Sequence, residues 1–338
     1  MSTHDVDILI VGGGPGGLAA ALHARAQGLS VVIAEPRETP IDKACGEGLM
    51  PGGLAELAAL GVDPAGVPFR GIAYVDGQRR VEASFRAGRG RGVRRTTLHS
   101  ALATRAKEVD TEWVSTKINA VEQDADGVSA GGVRARYLIG ADGLHSAVRR
   151  AVGIESTVGS PRRVGLRRHY RIAPWSEFVE VHWSPMGEAY VTPVEEDLVG
   201  VAILSRHRHD LGWFPWLQER LAEAAPGPER GCGPLRQVVS RRVAGRVLLV
   251  GDAAGYEDAL TGEGVSLAVK QAGAAVAAIA QDRPADYEQT WNRVTRRYRW
   301  LTRGLVLATA PRVTRRALVP ACAALPGVFG RAVDTLAT

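Results

Sequence analysis

A short, uninterrupted apolar run near the start of this chain gives way to glycines and then to alanines at helical spacing, a pattern that predicts a β-α-β unit. Asp7-Ile8-Leu9-Ile10-Val11 is apolar after its first residue and reads as a buried parallel strand. It runs directly into Gly12-Gly13-Gly14-Pro15-Gly16-Gly17. Residues 18–27 predict an alanine-rich helix, and residues 30–34 a second strand ending at Glu35. Further along, residues 71–75 and 81–85 alternate as strands do, with Asp76-Gly77 supplying a hairpin turn. Residues 178–183, 189–194 and 198–204 extend the strand pattern. Helical spacing returns at 265–279 and 287–301, and residues 304–338 alternate apolar runs with arginines, broken by Pro311, Pro320 and Pro326.

The glycines give the first unit its chemistry. Gly12, Gly14 and Gly17 match G-x-G-x-x-G between a strand and a helix. Gly12 permits the tight turn, Gly14 lets a pyrophosphate approach the backbone, and Gly17 lets the helix pack closely on the strand. The helix N-terminus then offers free N–H groups to phosphates. Glu35, 18 residues past Gly17 (35 − 17), is placed to accept from adenosine ribose hydroxyls. The acid serves FAD and NAD alike, so this unit alone does not choose between them.

Composition narrows the classes. At 338 residues, 45% hydrophobic and 23% charged, the chain can bury a large core as one domain or two interleaved ones. Cys45, Cys232 and Cys322 are too far apart in sequence for a disulfide framework or a metal cluster, which suits a reducing, cytoplasmic setting. No signal peptide and no run of ~18 uncharged apolar residues is evident, so a soluble protein is expected. The net charge of +6 gathers in arginines at 86–95, 162–168 and 293–316. A solvated basic surface and attraction of an anionic partner both explain it. No nucleic-acid motif accompanies the charge, so nucleic acid is not an expected partner. His207-Arg208-His209-Asp210 mimics a ligand cluster without a second cluster at metal spacing, so no metal is expected. No G-x-S-x-G elbow supports hydrolase chemistry.

Three further segments carry a family resemblance. Gly140-Ala141-Asp142-Gly143-Leu144-His145-Ser146-Ala147-Val148-Arg149 resembles the Asp-Gly segment of flavoprotein monooxygenases typified by para-hydroxybenzoate hydroxylase. Residues 246–254, with Gly251-Asp252, resemble that superfamily's Gly-Asp segment, and residues 95–102 its R-x-x-L-x-x-x-L helix. The resemblance implies that Asp142 and Gly143 lie near the FAD pyrophosphate, Asp252 on the ribityl chain, and Arg95 close to the cofactor. With the glycine loop it spans residues 7 to about 275, and it makes the cofactor FAD.

Pattern and resemblance together predict an α/β protein. A discontinuous, Rossmann-like FAD-binding domain (1–65, 91–160, 235–282) would carry an inserted, mostly antiparallel substrate sheet (66–90, 161–234) and C-terminal helices (283–338). Trp175, Trp183, Tyr190, Trp213, Phe214 and Trp216 are candidates for lining the substrate pocket, beside ordinary core packing. Tyr190-Val191-Thr192-Pro193 is the best match to a turn that the resemblance places beside the flavin.

Two loops lean toward one branch. Lys43-Ala44-Cys45-Gly46-Glu47-Gly48 is similar to the K-x-C-G-x-G loop of geranylgeranyl and menaquinone-chain reductases. Asp258-Ala259-Leu260-Thr261-Gly262-Glu263-Gly264 is similar to their D-P-L-T-G-E-G, with Ala259 where proline is usual. Cys45, Glu47, Gly262, Glu263 and Gly264 are therefore the candidate catalytic residues. Gly262 and Gly264 would bring a helix N-terminus to the flavin edge, where its dipole stabilises negative charge. Cys45 admits a chemical reading, as proton donor, and a structural one, as a small residue in a turn.

Related loops occur in hydroxylases of phenolic lipids and polyketides. The favoured expectation is a monooxygenase acting on an apolar or aromatic substrate, with isoprenoid reduction as the alternative and non-catalytic FAD binding as a third reading. The halogenase signature W-x-W-x-I-P is not present, which demotes halogenation. No second G-x-G-x-x-G follows, so NAD(P)H would bind transiently near Asp142, or a separate flavin reductase would supply electrons. The basic, amphipathic C-terminus either closes the pocket or rests on a membrane surface.

Overall fold

The computed structural model describes residues 4–77, 79–206 and 209–337. Its first sheet is built on Val6–Val11, which pairs in parallel with Val31–Ala34 on one side and Val133–Gly140 on the other. Val247–Leu249 extends the sheet beyond Val133–Gly140 and Glu112–Val114 beyond Val31–Ala34, both in parallel. Ile8–Val11, Val31–Ala34, Tyr137–Ile139 and Val247–Leu249 are apolar and buried together in one core. Pro15–Ala26 and Gly264–Ala280 pack against each other, joining residues from opposite ends of the chain in one core.

The register decides where the motifs meet. Val11 pairs with Gly140, and Gly140 with Leu249. Three strands thus end on one level, and the loops that follow them lie side by side at the carboxyl edge, where open α/β sheets bind ligands.

The second large sheet is antiparallel except at one seam. Gly71–Val75 and Arg80–Ser84 form the expected hairpin, with Asp76 N bonded to Arg79 O and Gly77 at φ +88°. Gly71–Val75 then pairs in parallel with Phe178–Trp183, followed by Gly187–Glu195, Leu198–Ser205 and Val164–Arg171. Tyr190 to Pro193 lies inside Gly187–Glu195, so the expected turn is a strand. Pro193 sits where the register shifts, at a bulge that tolerates its missing N–H.

C-terminal helices Asp286–Ala308, Arg312–Ala324 and Pro326–Ala337 lie across one face of this sheet. Pro311 caps one helix and Pro326 opens the next, but Pro320 is held inside Arg312–Ala324 rather than breaking it. Among the described residues no single helix is long and apolar enough to cross a membrane.

Candidate active site

A cleft of about 730 Å³ opens between the two sheets. Cys45, Glu47, Gly14, Arg95, Asp142, Gly143, Gly251, Asp252, Gly262 and Gly264 line it, so five segments far apart in sequence converge there. Gly12, Gly17, Glu35 and Glu263 lie outside its wall.

The glycine loop has the geometry each position requires. Gly12 has φ +108°, and a Cβ there would come within 2.5 Å of Ala141 O. A Cβ on Gly17 would sit 1.9 Å from Gly12 O, so only glycine lets the helix approach the strand. Gly14 differs: a Cβ there meets nothing within 4 Å and faces the open cleft. No side chain caps the N-terminus of Pro15–Ala26, and its first turn holds no acid. That end is left to an anion.

Glu35 closes the second strand beneath this loop. Its Oε2 accepts from Gly13 N at 2.9 Å, and both its oxygens accept from the Arg37 side chain. Burial works to raise its pKa, but the Arg37 and Gly13 hydrogen bonds prevail and hold the carboxyl below its usual range.

The two aspartate segments are tied together by Arg149. This buried guanidinium donates to Leu144 O at 3.1 Å and to Ala253 O at 3.0 Å. Asp142 uses Oδ2 to accept from Ala147 N and Val148 N, which anchors the helix after it. Its other oxygen is buried without a partner. Asp252 receives Lys43 Nζ at 3.2 Å from across the cleft, and the pair raises the lysine pKa.

The Cys45 loop stands on a buried polar network. Glu47 holds φ +60°, a left-handed conformation that its contacts must maintain. Its Oε1 accepts from Arg95 N at 2.8 Å, and its Oε2 lies 2.7 Å from His169 Nε2. Arg167 reaches His169 Nδ1 and Asp42 from below. A Cβ on Gly200 would approach Glu47 Oε2 to 2.7 Å, so that glycine makes room for the carboxylate. Glu47 is thus fully engaged in holding the loop, whereas Cys45 Sγ faces the cleft and accepts only from Glu47 N. Burial, and then the neighbouring Glu47 charge, pushes the Cys45 thiol up. The thiol stays protonated at neutral pH. Arg95 leaves Nη1 buried and unpartnered on the cleft wall, and burial lowers its pKa.

Gly262, at φ +70°, and Gly264 lead into Gly264–Ala280, whose N-terminus has no side-chain cap. Glu263 departs from expectation. It lines a separate recess with Met50 and Ser266, and its Oε2 is buried without a partner. Burial pushes its carboxyl up to about 7, from 4.5. The folded chain therefore holds a proton that the unfolded chain releases, and stability is lost as pH rises from 4.5 through 7. Glu263→Gln is expected to raise stability at pH 8 by about 1–3 kcal/mol and to change nothing at pH 4, read by denaturant titration at both values.

The far half of the cleft is apolar. Ile72, Tyr74, Val179, Val181, Leu260 and Leu305 line it, together with Tyr190, whose hydroxyl donates to Leu260 O at 2.9 Å. Of the six aromatic residues expected there, only Tyr190 lines the wall. Strand alternation explains three of the others. Tyr190 and Thr192 face the cleft, while Val191 and its neighbours face a core on the other side that holds Phe214, Trp175 and Trp213. Trp183 packs edge-on against Tyr74, and Trp216 is exposed. Tyr74, Tyr256 and Arg37 line the cleft without having been singled out from sequence, and Lys43, which opens the K-x-C-G-x-G loop, lines it too.

His207 and Arg208 lie outside the described residues, and among those described no group of three or more His, Cys, Asp or Glu could hold a metal ion.

Comparison with known proteins agrees with this geometry. Residues 5–166 match the family described as FAD binding domain. This part of the chain is similar to that family, and the cofactor is FAD. The orphaned Arg95 and Asp142 atoms, the uncapped helix and the open face of Gly14 all fit that cofactor.

Over 84% of its length the chain is 28% identical to a 3-(3-hydroxy-phenyl)propionate/3-hydroxycinnamic acid hydroxylase of Mycobacterium avium (strain 104), spanning 57% of that protein. It is 29% identical to a menaquinone reductase of Mycobacterium tuberculosis (strain CDC 1551 / Oshkosh), covering 78% of this chain and 74% of that one. A triple mutant of the flavin-dependent brominase Bmp2 shares the fold, with TM-score 0.80 at 18% identity over 98% of this chain and 94% of that one.

Proposed function

We propose that this protein is an FAD-dependent monooxygenase that hydroxylates or epoxidises an apolar, phenolic or polyketide- or lipid-like substrate. The observation that carries the reading is the division of one cleft into two halves. A polar half holds the glycine loop, Arg95, Asp142 and Asp252; an apolar half is walled by Ile72, Val179, Val181 and Leu305. Gly262 and Gly264 line the same cleft. The FAD would supply electron transfer and oxygen activation. This chain's residues then have separate tasks. Gly14 and the N-terminus of Pro15–Ala26 receive the pyrophosphate, Arg95 and Asp252 orient the cofactor, and the N-terminus of Gly264–Ala280 favours negative charge on the flavin edge. The apolar wall excludes water and binds the substrate. NAD(P)H would donate electrons transiently near Asp142, or through a separate flavin reductase.

One observation favours a second reading, reduction of an isoprenoid-like double bond. Cys45 faces the cleft as a protonated thiol and could deliver a proton to a reduced alkene. The similarity to a menaquinone reductase points the same way. Cys45→Ala separates the two. Under monooxygenation, NADPH-driven turnover requires oxygen and changes by less than about tenfold in the variant. Turnover that persists without oxygen and falls on the order of 100-fold in Cys45→Ala would establish the reductase.

A further inference from the structure

The C-terminal helices carry a surface that the reaction does not use. Between Glu288 and Asp334 the chain has nine arginines and no acidic residue. Among the described residues, five of the eight large hydrophobic side chains that stand exposed fall in the same stretch: Trp300, Leu307, Val313, Leu325 and Val328. Along Asp286–Ala308, the exposed residues Arg293, Arg296, Trp300, Arg303 and Leu307 follow at helical spacing and form one mixed stripe. Arg316 lies one turn from Val313, and Arg331 one turn from Val328, all exposed. Arg303 is balanced by Glu257, whereas Arg293, Arg296, Arg316 and Arg331 make no ion pair among the described residues.

Shape adds to charge. Arg312–Ala324 and Pro326–Ala337 meet at 104°, and every residue from 323 to 328 at that corner is exposed and apolar or glycine. The opposite faces of these helices are spoken for: Val319, Phe329 and Val333 join the core beside Ile72 and Val181, and Leu305 and Leu336 line the cleft. An exposed apolar corner, on helices that carry uncompensated arginines, suits a bilayer with anionic headgroups.

We infer that this face docks on an anionic membrane surface, with Leu325 and Val328 entering the headgroup layer and the arginines pairing with lipid phosphates. The same helices wall the apolar half of the cleft, so docking would bring lipid-borne molecules to its edge. The surface does not depend on which reaction the flavin performs.

The test is flotation of the FAD-loaded chain with phosphatidylcholine vesicles, with and without phosphatidylglycerol. Binding only to the phosphatidylglycerol vesicles is expected. Arg316→Ser with Arg331→Ser should weaken it about 25-fold, near fivefold per charge. Leu325→Asp with Val328→Asp should abolish it, while both variants keep their flavin and melting temperature. Absence of flotation, equal binding to both vesicles, or binding unchanged in either variant overturns the proposal. Absence of flotation with retention on a polyglutamate column, lost in the arginine variant, would assign the face to an acidic protein instead. No substrate is used, so failure here leaves the proposed reaction untouched.

Discussion

A valine at position 14 is expected to abolish FAD binding and leave a folded protein. Gly14 sits at φ −74° and ψ 178°, extended backbone that valine adopts without strain. A Cβ there meets nothing within 4 Å, and the larger side chain enters the cleft where the cofactor's phosphates would approach the backbone. Affinity should fall by at least about 100-fold, near 2.7 kcal/mol, with the melting temperature of the apoprotein unchanged. Gly17→Ala provides the contrast. Its Cβ would lie 1.9 Å from Gly12 O, so helix and strand must separate. That variant should lose about 3 kcal/mol or more of stability as well as its flavin. Flavin absorbance per chain, FAD titration and apoprotein melting distinguish the two. Retained FAD in Gly14→Val would move the phosphates elsewhere.

The second large effect is expected at Glu188, which belongs to no motif. This carboxylate is fully buried and bonded to Arg163, with Arg315 Nη1 at 3.4 Å. Arg163 also faces Asp258 at 3.4 Å, and burial, adding to the Glu188 charge, pushes Asp258 up to about 6 despite that arginine. Glu188→Ala would leave two buried guanidinium groups with one carboxylate between them. Breaking such a network from one side costs about 3–5 kcal/mol. A drop in melting temperature of roughly 4–7 °C follows. Because Arg315 belongs to Arg312–Ala324, the loss should also free that helix from the sheet. Trypsin should then cut at Arg312 and Arg316 well before the rest of the chain. A change under about 1 kcal/mol would mean that the network is not holding the C-terminal helices.

These two sites mark what was and was not legible in the sequence. The glycine loop was readable because its conformations exclude other residues, and local order alone gives strand, turn and helix. The hairpin at Asp76-Gly77 was readable because alternation and a turn dipeptide are both local. Convergence of Gly14, Asp142 and Asp252 depends on the register of Val11, Gly140 and Leu249, which alternation does not encode. The aromatic residues misled for a related reason. Which side of Gly187–Glu195 faces the cleft is set by its neighbours, so Tyr190 lines it while Trp213 and Phe214 join the opposite core. Glu188 had no signal, and Arg163 and Arg315 were read only as members of basic clusters. Single charged residues in a strand or a helix read as surface until the fold brings them together. Glu47 was read as chemistry from its place in a glycine-rich loop, yet its carboxylate is committed to Arg95 and His169. Glu263 likewise points into its own recess.

Monooxygenation is tested most directly by supplying the FAD-loaded protein with NADPH, an extract of lipids and phenolics, and heavy oxygen gas, and following the products by mass spectrometry. One heavy oxygen atom in each product molecule is predicted. Products that gain only hydrogen, and form equally well without oxygen, would contradict it and make Cys45 the centre of an alkene reductase.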